Sequence, residues 1–294
     1  MVIPSTVANS FGHRIILPNR RLYPGSTPYT EEEVDALEPT HSIEDITEAY
    51  LKQGKYLLLF VDNVIKNHNL KNIILVGWSL GTAFLSTTVA NITTVGEEVR
   101  ARLRKAVKTI VWWDPPASAN GIPDPPTGGW IPLFDMSLTP EERGTAFNQW
   151  LSEYYPHKNL ERKDCHTLIY KVTAPIKVPS FAGISFEEFL TKTDLTAGAN
   201  GDNLIFDEHC RPVTMILKEL AFFNAKVRSE WGNVPFNVIY GEESPYNVIW
   251  AVWKLEEQSE KAGLVIKFKS MPGANHFAMH DHTELVFDTL HACL

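Results

Sequence analysis

Apolar positions along this chain change their spacing several times, and each change marks an element. Ile73-Ile74-Leu75-Val76 is an unbroken apolar run, as expected of a strand buried on both faces. Small and apolar residues from Thr82 to Val89 then predict a helix packed beneath it. Upstream, Ile43, Ile46, Tyr50, Leu57, Leu58, Val61 and Ile65 offer an inner helical face, and Ser42 with Glu44 and Asp45 behind it predicts the cap of a helix ending near His68. A polar surface helix over Glu97 to Lys105 leads into a second buried strand, Val107 to Trp113. Strand character returns over 235–240 and 264–268, with a helix from Ser244 to Ala262 between them and Ser244-Pro245 as its capping pair. A short strand is expected at Phe11 to Leu17 with a loop over 18–26, and a last helix follows Asp281 and Glu284.

Between Pro115 and Gly232 the pattern is different. Proline and glycine cluster as far as Pro132, and short helical pieces follow, signalled by Thr139-Pro140-Glu141-Glu142 and by Ser185 with Glu188. A longer helix is expected from about Pro212 to Trp231, stopped by Gly232. Strand alternation is missing here, so residues 115–232 read as a helical cap inserted into a core made of 1–114 and 233–294. Its aromatics Trp130, Phe134, Phe147, Trp150, Tyr154 and Tyr155 either line an apolar pocket or fill the cap's own interior.

Composition narrows the class. With 294 residues, 44% of them hydrophobic, the chain can bury a sizeable core. A formal net charge of -8 opposes binding to phosphate backbones, so nucleic acid is excluded as a partner. Cys165, Cys210 and Cys293 are odd in number and scattered, which points to neither a disulfide framework nor a zinc site and favours a reducing, cytoplasmic compartment. No apolar run reaches membrane-spanning length and no secretion leader is expected, so the sequon at Asn91 reads as chance. The terminal Ala292-Cys293-Leu294 is similar to a Ser-Lys-Leu peroxisomal address that lacks its basic middle residue.

The chemistry centres on Gly77-Trp78-Ser79-Leu80-Gly81, set between the first buried strand and its helix. So sharp a turn calls for small residues flanking the serine, lifts its hydroxyl above the sheet edge, and leaves the Leu80 amide free to face an oxyanion. This stretch resembles the nucleophile elbow of the α/β-hydrolase superfamily, which implies an α/β fold with a mostly parallel sheet flanked by helices. A serine needs a base, and His276 in Pro272-Gly273-Ala274-Asn275-His276-Phe277 resembles the superfamily's histidine loop. His280 and His282 beside it match no zinc spacing, and no metal or other cofactor is called for.

The third member is a carboxylate. Where the superfamily has an acid in Gly-x-x-Asp, this chain has Gly241-Glu242-Glu243-Ser244. Two substitutes stand: Asp114, ending the strand after the elbow, and Glu242 or Glu243, out of register on the usual loop. Asp114 is preferred, because glutamate pairs in turns are commonly just solvated.

Asn19-Arg20-Arg21-Leu22-Tyr23-Pro24-Gly25-Ser26, Trp113-Asp114-Pro115-Pro116 and the motifs above together look like a fungal branch that includes esterase-lipase-type hydrolases of host-selective toxin biosynthesis. The resemblance implies three strands and an oxyanion loop ahead of Phe11 that the sequence does not supply, hence an N-terminally shortened sheet. An incomplete gene model, a naturally shortened protein and a partner chain completing the edge all fit. Its implied activity is hydrolysis of a carboxylic ester or thioester of a small to medium apolar substrate. A non-catalytic binding protein on the same scaffold, or a lyase using the same three residues, are the alternatives.

Overall fold

The computed structural model describes residues 5–185, 188, 191, 202 and 204–294. Four parallel strands, β1 (Ile73–Trp78), β2 (Val107–Trp113), β3 (Phe236–Gly241) and β4 (Lys267–Met271), form one sheet in that order. Each is followed by helix, as parallel connections require: α4 (Gly81–Ala90) and α5 (Glu97–Ala106) after β1, α9 (Tyr246–Lys261) after β3, α10 (Ala278–Asp281) and α11 (Thr283–His291) after β4. Ahead of the sheet lie α1 (Ser5–Ser10), α2 (Glu31–Asp35) and α3 (Ile43–His68). Between β2 and β3 come α6 (Pro140–Ser152), α7 (Arg211–Lys218) and α8 (Ala225–Trp231). The class is α/β, as expected.

The central strand β2 shows the period of two: Ile110 and Trp112 face a core with Val89, Leu103 and Phe222, while Val111 and Trp113 face Ile239, Met271 and Val286 on the other side. Ser42 caps α3 by accepting from Asp45 N–H, and Thr139 with Glu142 forms a reciprocal capping box with Pro140 in the first turn, both as expected. At Ser185 the expected cap is represented by Glu188 N–H donating to its Oγ at 3.1 Å, and the residues between lie outside those described. Asn91 is 3% exposed and its Nδ2 donates to Leu51 and Thr87 carbonyls, so the sequon is closed to modification in the folded chain. None of the described helices is long and apolar enough to cross a membrane.

Five expectations need correction. Phe11 to Leu17 forms no strand: Phe11 and His13 stack on Phe287 of α11, whereas Arg20 pairs with Asp202 and Arg21 with Glu33. Side-chain anchors at both ends hold this backbone away from a ladder. Consequently β1 pairs only with β2 among the described residues, and Val76 is 38% exposed, so this apolar run is an edge strand and not one buried on both faces. The last strand begins at Lys267 and not Leu264; at a sheet edge the half-polar run Lys267-Phe268-Lys269-Ser270 suffices, and Val265 is left exposed.

The expected helix over 212–231 is interrupted by a wide turn at Glu219–Phe223 and restarts at Asn224, whose Oδ1 accepts from Lys226 and Val227 N–H. The turn seats Phe222 against Trp112 at 4.2 Å between centroids; complete burial of such a ring contributes about 2–3 kcal/mol, enough to outweigh a broken helical ladder. α7 and α8 therefore pack into the core around α4 and β2. Finally, Asp281 does not cap the last helix. Its carboxylate accepts from Tyr154 Oη and Ser180 Oγ, fastening the segment after β2 to the end of the chain.

Candidate active site

β1 ends in the tight turn that the glycine pattern foretold. Ser79 sits in the left-handed region at φ 53°, unusual for a residue with a side chain, while its N–H donates to Trp113 O and its carbonyl accepts from Thr82 N–H. The two flanking glycines differ in what they do. A Cβ at Gly77 would lie 2.5 Å from Gly81 O and 2.7 Å from Leu85 Cβ, so nothing larger fits between strand and helix. At Gly81 a Cβ would meet nothing within 4 Å, so the expected need for smallness holds at Gly77 alone.

Three residues far apart in sequence meet above the strand ends. His276 Nε2 lies 2.9 Å from Ser79 Oγ and His276 Nδ1 lies 2.9 Å from Asp114 Oδ2. Asp114, at φ 47°, is fully buried and His276 is 1% exposed. Asp114 Oδ1 accepts from Gly241 N–H at 2.9 Å, and Oδ2 accepts from Ser244 Oγ at 2.7 Å as well as from the histidine. An acceptor set of this kind belongs to an ionised carboxylate, which assigns the imidazole proton to Nδ1 and leaves Nε2 to accept from the serine hydroxyl. Leu80 begins the turn into α4, where its N–H has no intrahelical carbonyl to bind.

The two glutamates go elsewhere. Glu242 Oε1 accepts from Ser270 Oγ and Glu243 Oε1 pairs with Lys177, so neither reaches the imidazole. Ser244, read as a helix cap, instead points its hydroxyl at Asp114, and α9 starts one residue beyond Pro245. That role was hidden because a serine before proline has a sufficient local explanation. Its position, where the resemblance places an acid, was the available clue.

Other supports were also missed. Trp78 Nε1–H donates to His276 O at 3.1 Å with the rings 4.9 Å apart, and Asn275 Nδ2 reaches the carbonyls of Ser152 and Glu153. His157 Nε2–H donates to Ser244 O and its Nδ1 accepts from Ile169 N–H. Burial drives the His157 pKa down from 6.5 to about 4. Because the unfolded chain takes up this proton near pH 6.5 and the folded chain only near 4, stability contributed by neutral His157 is full above 6.5 and lost as pH falls through that interval. Urea denaturation from pH 7.5 down to 4 is expected to show a decline containing about 3 kcal/mol from this residue, absent in His157→Asn.

Over the serine and histidine lies a narrow cleft open to solvent, walled by Pro116, Ile131, Phe134, Phe147, Trp150 and Val248 among others. Of the six aromatics considered, Phe134, Phe147 and Trp150 line it. Trp130 Nε1 is tied to Asp135, Tyr154 to Asp281, and Tyr155 is fully buried with its hydroxyl on Trp150 O. Among the described residues, metal-ligand side chains gather at Asp164, Cys165 and His166, not at His276, His280 and His282.

No protein-family model and no curated protein matches the sequence. Among solved structures, bromoperoxidase from Bacillus anthracis is similar over 98% of this chain and 84% of its own, at 14% identity and a TM-score of 0.45. An epoxide hydrolase from Vigna radiata is similar over 98% and 83%, at 14% identity and 0.39. A laboratory-evolved potato epoxide hydrolase is similar over 94% and 82%, at 14% and 0.47.

Proposed function

We propose that this protein is a serine hydrolase that cleaves a carboxylic ester or thioester of a small to medium, largely apolar substrate. The observation that carries the reading is the unbroken, buried chain of hydrogen bonds from Asp114 through His276 to Ser79 Oγ. Ser79 Oγ attacks the carbonyl carbon as His276 Nε2 takes its proton, and the carbonyl electron pair moves onto oxygen, facing Leu80 N–H. Collapse breaks the bond to the leaving oxygen or sulfur, which receives the proton from His276. Water then repeats the sequence on the acyl-serine and returns the enzyme. Asp114 holds the imidazole in the right tautomer and balances its transient positive charge. Every electron pair and proton is accounted for without a cofactor.

The segment between β2 and α7 serves in this reading as a cap. Its residues supply Phe134, Phe147 and Trp150 to the cavity, and its ties to Asp281 and Asn275 hold it over the histidine loop. The test is pre-steady-state hydrolysis of 4-nitrophenyl butyrate. A burst of nitrophenol equal to the enzyme concentration, abolished in Ser79→Ala with turnover down by about 10⁴-fold or more, is expected. Turnover that survives Ser79→Ala would end the proposal.

A further inference from the structure

Asn247, in the first turn of α9, is a polar residue among buried apolar neighbours: Tyr246, Val248, Ile249 and Trp250 surround it in sequence and it is itself 6% exposed. Its backbone carbonyl accepts from Ala117 N–H, but its side-chain Oδ1 is enclosed and finds no hydrogen-bond partner among the described residues. The helix's other buried polar side chain, Ser259, is satisfied by Leu255 O. An orphaned acceptor of this kind is costly, and an isosteric leucine would avoid the cost. What distinguishes Asn247 is its place: it lines the same cavity as Ser79 and His276. Besides those two, Ser118 and Asn247 are the hydrogen-bonding side chains of the cavity wall that are not engaged among the described residues, since the Trp150 N–H is bound to Tyr170 O.

We infer that Asn247 is a substrate-contacting specificity residue: its amide turns about the Cβ–Cγ bond when substrate enters, so that Oδ1, closed off in the free protein, accepts a hydrogen bond from a hydroxyl or amide N–H that the substrate carries close to the scissile carbonyl. The preferred substrates are then hydroxyacyl or amidoacyl esters and thioesters, with Ser118 within the same wall to take up the substituent's remaining lone pair or proton. The inference rests on the serine-hydrolase reading and sharpens it. A purely apolar acyl chain fits the walls but leaves Oδ1 unpaired in the complex, and a site built to pair a substrate hydroxyl or N–H discriminates strongly against the analogue lacking it.

The experiment compares kcat/KM for 4-nitrophenyl butyrate, 3-hydroxybutyrate and N-acetylglycinate in the wild type and in Asn247→Leu, with thermal melts of both. The wild type is expected to favour at least one of the polar esters by about 10- to 100-fold, and Asn247→Leu to reduce that ratio to near one while melting at the same or a higher temperature. No preference in the wild type, or the same preference in Asn247→Leu, overturns the inference. So does a melt lowered by many degrees, since it would show that the amide has a structural partner. Covalent labelling of the wild type by a fluorophosphonate separates the two levels: labelling without ester preference defeats this inference alone, and absence of labelling defeats the hydrolase reading with it.

Discussion

Asp114→Asn is expected to lower kcat/KM for ester hydrolysis by about 10⁴-fold with little change in KM. Three donors converge on this carboxylate: His276 Nδ1–H, Ser244 Oγ–H and Gly241 N–H. An asparagine amide has one acceptor atom and one donor, so it cannot receive all three, and whichever way it turns a donor faces a donor or the imidazole adopts the wrong tautomer. Ser244→Ala removes one of the three and leaves the carboxylate charged; a loss of about 10-fold is expected. Glu242→Gln and Glu243→Gln, whose partners are Ser270 and Lys177, are expected to change the rate less than about threefold. Steady-state kinetics on purified variants checks the ranking. A glutamine variant as damaging as Asp114→Asn would move the acid back to the loop after β3.

The two elbow glycines should behave as opposites. Gly77→Ala forces a methyl to within 2.5 Å of Gly81 O and 2.7 Å of Leu85 Cβ, contacts made by backbone and by the base of a packed side chain that cannot swing aside. A stability loss of about 3 kcal/mol or more, or failure to fold, is expected, and activity should fall with it because the serine turn must shift. Gly81→Ala places its methyl in open space at the first residue of α4, and alanine favours helix, so stability should stay within about 1 kcal/mol of the wild type or rise. Chemical denaturation of both variants decides it, and equal losses would show that the turn is not packed as described.

How much of this was legible follows from how local each requirement is. The elbow, the strand before it and the helix after it are written within one consecutive stretch from Ile73 to Ala90, since the steric limits act between near neighbours. Val107 to Trp113 was equally plain, because a strand covered on both faces must be apolar nearly throughout. What stayed hidden depends on distant partners. Val76 resembles a buried strand residue in sequence, and only the lack of a second pairing strand beside β1 among the described residues makes it an edge residue. Asp281 has a capping signature that its bonds to Tyr154 and Ser180 override.

The site shows the same division. Ser79 and His276 were candidates from the motifs around them and Asp114 from its place at a strand end, and the structure brings the three side chains together. The choice between Asp114 and the glutamates turned on which carboxylate is desolvated and bonded, which no local pattern encodes. Ser244 carried two meanings, helix cap and acid support, and the sequence offered the commoner. Asn247, Asn275 and His157 gave no signal of their own, since a buried asparagine or histidine is recognisable only once its surroundings are known.

The central claim is that Ser79 is an activated nucleophile. Treating the folded protein with a fluorophosphonate and mapping the adduct by peptide mass spectrometry tests it most directly. One adduct per chain on Ser79, lost in His276→Ala, is the predicted result. A well-folded protein that takes up no label, or takes it up at another serine, would contradict the account.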